Sequence, residues 1–123
     1  MTIQELYAKI GGDYAQAVRV MKTDRLIDKY VRKLKSSQVD VALAEAGASL
    51  DPVKLFESAH AMKGVCSNLG LTALAAAADE ITEEFRPGNP RRLSDEDVRV
   101  RLEAIAQRYG ATIDGIRQYE ESV

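Results

Sequence analysis

The sequence predicts an all-α protein: an antiparallel up-and-down four-helix bundle with short N-terminal capping helices. Three observations carry that prediction. Apolar residues recur at alternating spacings of three and four, and no segment alternates with the period of two that a half-buried strand requires. Residues that start and stop helices bracket these stripes. The connections between the long stripes are short, which sets consecutive helices antiparallel.

Thr2 and Glu5 form a capping box for a first short helix near 3–10, carrying Ile3, Leu6, Tyr7 and Ile10. A second, near 13–21, carries Tyr14, Ala17, Val18 and Met21. The first long helix is expected near 24–46. Its stripe is Ile27, Tyr30, Leu34, Val41 and Ala44, with the polar Ser37 falling inside it and Gly47 where it should stop. The second, near 51–69, begins with Asp51 as N-cap and Pro52 at the first helical position. It buries Leu55, Ala59, Met62, Cys66 and Leu69, and Gly70 ends it. The third, near 71–85, carries Leu71, Leu74, Ala78, Ile81 and Phe85, and "RPGNP" (86–90) cannot continue it.

The last helix, near 95–120, opens with Ser94 before "DED", acidic side chains at the positive end of the helix dipole. Its stripe is Val98, Leu102, Ile105, Tyr109, Thr112, Ile116 and Tyr119. Gly110 and Gly115 each cost about 1 kcal/mol against alanine there, so a bend or frayed end is expected.

Composition bounds the function. The chain of 123 residues has the length of one domain, expected to span 1–123, and its 46% apolar and 29% charged residues are those of an ordinary globular protein. No apolar run approaches the roughly 20 residues of a membrane span, and the N-terminus lacks a signal-peptide pattern. One cysteine, Cys66, excludes an internal disulfide framework and suits a cytoplasmic protein; in its apolar stripe it reads as a small core residue. A net charge of −2 gives no drive toward nucleic acid, and the basic clusters "YVRKLK" (30–35) and "RPGNPRR" (86–92) read as solvated surface. One His and one Cys are too few for a zinc site, and no glycine-rich phosphate loop or nucleophile elbow is present.

The informative stretch is "AHAMKGVCSNLGL" (59–71), which holds the chain's only histidine. At 100° per residue, His60 points roughly 140° from the centre of the Leu55–Leu69 stripe, and Gly64 about 180°. Phe56, His60, Lys63, Gly64 and Ser67 therefore form a second face, turned to solvent. A neutral imidazole is a competent nucleophile toward a phosphoryl group. Lys63, one turn on, can neutralise phosphoryl oxygens, and phosphoryl transfer depends mostly on positioning and electrostatics. Gly64 costs about 1 kcal/mol of helix propensity and clears space for a partner to approach the ring. Phe56 is expected to be either an exposed docking contact or covered by the short N-terminal helices. Ser67 and Asn68 are candidate contacts to a partner.

This stretch resembles the signature of histidine-containing phosphotransfer (HPt) domains: Ala-His, an apolar residue, Lys-Gly, a small-residue stretch, then Leu-Gly. "IGGDYAQAVRVM" (10–21) is similar to the usual opening of such domains. The resemblance implies His60 as phospho-acceptor through Nε2, Lys63 as the phosphate-side cation, Gly64 as the clearance residue and Gly70 at the turn to the next helix. It implies a phosphoryl carrier in a two-component phosphorelay, rather than an enzyme of the usual kind. The partners would be receiver domains of response regulators or hybrid histidine kinases, which themselves hold the Mg²⁺, so this chain needs no cofactor. A monomer is expected.

Two departures stand out. Met62 replaces the leucine common in the family, and the next helix offers no Gln to bond the second ring nitrogen; Asp79, Thr82 or Glu83 are the available substitutes. Competing readings are a helical adaptor that binds receivers without carrying phosphate, and the phospho-accepting domain of a chemotaxis-type histidine kinase. The absence of an ATP-binding motif favours a freestanding carrier.

Overall fold

Seven helices make up the regular structure of residues 1–123 in the computed structural model: α1 (Ile3–Ile10), α2 (Tyr14–Met21), α3 (Asp24–Leu34), α4 (Val39–Ser49), α5 (Pro52–Asn68), α6 (Thr72–Glu84) and α7 (Asp95–Ser122). There is no strand. α4, α5, α6 and α7 follow one another around a shared core, and α7 returns to pack on α4, which closes the four-helix bundle. α1 lies along α7, and α2 bridges α3 and α5.

The capping chemistry read from the sequence is present. Thr2 Oγ1 accepts from the Glu5 amide while Glu5 accepts from the Thr2 amide; Asp51 caps α5 through the Val53 and Lys54 amides; Ser94 caps α7 through the Asp97 amide. Three of the four long stripes are core. Leu55, Ala59, Met62, Cys66 and Leu69 are buried, as are Leu71, Leu74, Ala78, Ile81 and Phe85; on α7 the whole stripe is buried except the half-buried Leu102. Burial pushes the Cys66 thiol up to about 12, in keeping with its place in the packed stripe.

The first long helix is two helices. The α-helix ends at Leu34 in tight turns, with the Ser36 and Ser37 amides donating to the Lys33 and Leu34 carbonyls, and Gln38 takes the left-handed conformation (φ +64°) before α4 begins. Ser36 and Ser37 donate their hydroxyls to the Lys33 and Leu34 carbonyls, closing the end of α3 with side-chain bonds. The Tyr109 hydroxyl donates to the same Leu34 carbonyl, at 3.0 Å, and lies 3.2 Å from Ser37 Oγ. The buried face differs from the expected stripe on both sides of the break, within α3 as well as in α4. Ile27 and Leu34 are core as expected, but Tyr30, Val41 and Ala44 are exposed, and Val31, Leu43 and Ala46 take the inner positions.

Two glycines also play other parts than expected. Gly47 does not stop a helix: it is buried within α4, where an added Cβ would lie 2.7 Å from Leu102 Cδ1. Gly115 is buried in an unbroken α7, and a Cβ there would lie 2.5 Å from Ile10 Cγ2. The helix runs on to Ser122 without fraying at either glycine; at Gly115 close contact with α1 offsets the helix-propensity cost, whereas Gly110 has no neighbour within 4 Å.

The N-terminal helices fasten the end of α5. The Tyr7 hydroxyl donates to the Leu69 carbonyl at 2.6 Å, and the Asp13 amide donates to the Gly70 carbonyl at 2.7 Å. Gly70 turns the chain into α6 at φ +68°, and a Cβ there would stand 2.3 Å from the Asp13 carbonyl oxygen. Both the turn and the approach of α2 require glycine. This fixes the C-terminal end of α5, the helix that carries the histidine, against the rest of the fold.

Candidate functional site

α5 divides as the helical wheel predicts. Its Leu55–Cys66 stripe is fully buried, and the opposite side presents His60, Gly64 and Asn68, all exposed and spaced one turn apart. Lys63 and Ser67 are half-buried beside them. A Cβ built on Gly64 meets no heavy atom within 4 Å. The approach to the imidazole is therefore open, and the glycine is not demanded by packing within the chain.

Phe56, one turn before His60, is half-buried and packs on the core. Its ring lies parallel to the imidazole, with 8° between the planes and centroids 5.8 Å apart. The cover over Phe56 includes the Arg86 guanidinium, whose carbon lies 5.3 Å from the ring centroid. Arg86 is in turn held by Glu83 at 2.7 Å.

α6 contributes charge on the other side of the histidine. Lys63 Nζ lies 2.8 Å from Asp79 Oδ1, an ion pair between α5 and α6. Of the three residues that could have oriented the ring, Asp79 engages Lys63, Glu83 engages Arg86, and Thr82 is buried and donates to the Ala78 carbonyl at 2.9 Å. The aromatic neighbour of the ring is Phe56, whose face lies parallel to it. Arg86 was not singled out in the sequence, where it reads as part of a solvated basic loop. No local pattern marks it, because it reaches Phe56 only once α6 has packed along α5.

Asn68 joins this face to a neighbouring groove of about 470 Å³, lined mainly by Met21, Tyr30, Leu34, Val65 and Leu69 with Lys33 at its edge. The exposed strip of α5 thus continues into an apolar depression beside its C-terminal half. Chemically, the site offers a solvent-facing imidazole on a rigid helix, a cation one turn away and an unobstructed approach. It can take part in group transfer with a partner that brings the rest of the machinery.

The family model of the Hpt domain matches residues 27–115, which run from α3 into α7 and include Phe56, His60, Lys63, Gly64, Asp79 and Arg86. The chain belongs to the Hpt domain family, and with it comes a histidine phosphotransfer role in phosphorelay with the receiver domains of two-component systems. The stretch 10–21 lies outside the matched residues. No curated protein and no solved structure matches the chain. No helix is long and apolar enough to cross a membrane.

Proposed function

We propose that His60 is the phospho-acceptor, taking a phosphoryl group from the phospho-aspartate of one receiver domain and delivering it to the aspartate of another. The observation that supports this most is the position of His60: exposed on the outer face of α5, in a family whose role is histidine phosphotransfer. In the forward step the Nε2 lone pair attacks phosphorus while the P–O bond to the receiver aspartate breaks. The carboxylate leaves with the bonding electrons. Nδ1 keeps its proton, so the phospho-imidazolium is poised to give the group away again.

Lys63 neutralises the phosphoryl oxygens as the group arrives. Gly64 leaves room for the receiver's active-site loops, and Phe56 holds the ring plane. Ser67 and Asn68 extend the contact along α5 toward the groove. The chain works without its own cofactor, with Mg²⁺ held by the receiver, and it functions as a single cytoplasmic carrier unit, a monomer whose bundle closes on itself.

The test is transfer from a pre-phosphorylated receiver domain, with His60→Gln alongside. An acid-labile, alkali-stable phosphate on the wild type and none on the variant is the expected result. Binding without label across several receivers would replace the carrier by an adaptor.

A further inference from the structure

Resting on His60 as the acceptor, we infer that Asp79 is a positioning residue that holds Lys63 in the resting protein and releases it to the phosphoryl group, so setting how far His60 is phosphorylated at equilibrium. Lys63 is not a free cation. Its ammonium is 2.8 Å from Asp79 Oδ1, across the α5–α6 contact, with the two side chains 38% and 42% exposed. An ion pair at that exposure is weak and exchanges readily.

His60 and Lys63 are three residues apart on one helix, so their side chains are neighbours, and Asp79 meets Lys63 from α6. The unphosphorylated ring offers Lys63 no anion, and Asp79 does. Once phosphorylated, the ring presents three strong, negatively charged acceptor oxygens where the free ring presents none, against the two oxygens of Asp79. The ammonium then has a stronger partner beside it. Asp79 accepts hydrogen bonds but as a carboxylate donates none, so it cannot bond the phosphoryl oxygens itself.

The neighbouring acids do not take its place: Glu83 is engaged by Arg86, and Glu80 by Arg101. Asp79 therefore competes with the product for one lysine. It gives Lys63 a defined resting place near the ring and lowers the retention of phosphate on the carrier, as suits a protein that must hand the group on.

Phosphoramidate, a small donor, tests this without a receiver. The imidazole nitrogen attacks its phosphorus and ammonia departs, so a fixed ratio of phosphoramidate to ammonium sets an equilibrium that the N–P signal in ³¹P NMR reads. Asp79→Asn should raise the ratio of phosphorylated to free protein about two- to fivefold, the range of an exposed ion pair. Asp79→Glu should restore the wild-type ratio. Lys63→Met should lower the ratio, and adding Asp79→Asn to it should then change the ratio less than the single substitution does.

An unchanged ratio in Asp79→Asn overturns the inference. So does an equal rise with and without Lys63, which would mean bulk repulsion by the carboxylate. Absence of any N–P signal that depends on His60 would overturn the acceptor assignment itself, and the role of Asp79 with it. Matched thermal unfolding of the variants shows that the comparison is made between folded proteins.

Discussion

The rings of Phe56 and His60 stand one turn apart on α5 and lie nearly parallel, with 8° between their planes and 5.8 Å between centroids. Arg86 covers Phe56, and Glu83 fixes Arg86, so the imidazole is the last member of a supported stack. A nucleophile held at one ring orientation loses less freedom on reaching the transition state than a freely rotating one.

Replacing Phe56 by leucine keeps apolar bulk under Arg86 and removes the stack. Phosphoryl uptake in Phe56→Leu should slow roughly two- to tenfold, corresponding to the 0.5–1.5 kcal/mol of an aromatic pair. Its unfolding free energy should stay within about 1.5 kcal/mol of wild type. Phe56→Tyr should retain the rate. Rapid-quench transfer kinetics with urea unfolding separate the two effects; a slowed rate that tracks lost stability would remove the stacking role.

Gly64 makes the opposite kind of prediction, in which stability and activity part company. Because nothing lies within 4 Å of its missing Cβ, Gly64→Ala should stabilise the protein by up to about 1 kcal/mol through helix propensity. Gly64→Gln should fold equally well and lose phosphotransfer, its side chain standing where the partner must come. Full transfer by the folded Gln variant would show that the clearance is not used.

Gly70 is six residues further along and should behave in the reverse sense. Its φ of +68° disfavours any L side chain, and its Cβ would fall 2.3 Å from the Asp13 carbonyl oxygen, a backbone atom that cannot swing away. Gly70→Ala should cost about 2–5 kcal/mol, backbone strain plus overpacking. Removing the Tyr7 hydroxyl that bonds the Leu69 carbonyl at 2.6 Å should cost about 1–2 kcal/mol. Chemical denaturation of Gly64→Ala, Gly70→Ala and Tyr7→Phe in parallel checks all three signs.

These contrasts show which parts of the molecule a single sequence makes legible. His60, Lys63 and Gly64 share one helix, so their common face follows from 100° per residue and needs no tertiary information. Phe56 could be placed beside His60 but not given its cover, since Arg86 comes from beyond α6. Asp79 was a candidate partner for the ring, and it is the packing of α6 on α5 that gives it to Lys63 instead.

The split of the first long helix was hidden differently. Ser36, Ser37 and Gln38 interrupt an apolar pattern that resumes after them, and helical period alone does not register a change of phase. The deciding contact is the Tyr109 hydroxyl on the Leu34 carbonyl, 75 residues away in sequence. Gly47 and Gly115 were equally ambiguous. A glycine at a helix end and a glycine under a crossing helix look alike until Leu102 and Ile10 are in place.

Stability should also fall at alkaline pH, in a window set by Cys66. Burial disfavours the thiolate, raising the thiol from an ordinary 9.0 to about 12 in the folded protein. A group whose folded value is raised contributes fully below its unfolded value and loses that contribution as the pH climbs through the folded one. Below pH 9 Cys66 is protonated in both states and stability is flat with respect to it. Between 9 and 12 the unfolded chain releases a proton that the folded one keeps, and stability drops by about 1.4 kcal/mol per pH unit.

The phenols of Tyr7 and Tyr109, raised by burial from 10.0, act in the same direction but begin a unit later. The unfolded phenols already ionise as pH 10 is approached, so urea unfolding at quarter-unit steps from pH 8 to 10 reads the thiol as the difference between wild type and Cys66→Ala. Cys66→Ala should be less stable throughout, because it leaves a cavity, yet show a shallower decline between pH 9 and 10. Alkylation by iodoacetamide gives the independent check: the native thiol should resist at pH 8 and react only as fast as the chain unfolds. A decline of equal slope in the alanine variant would assign the alkaline instability to the tyrosines instead.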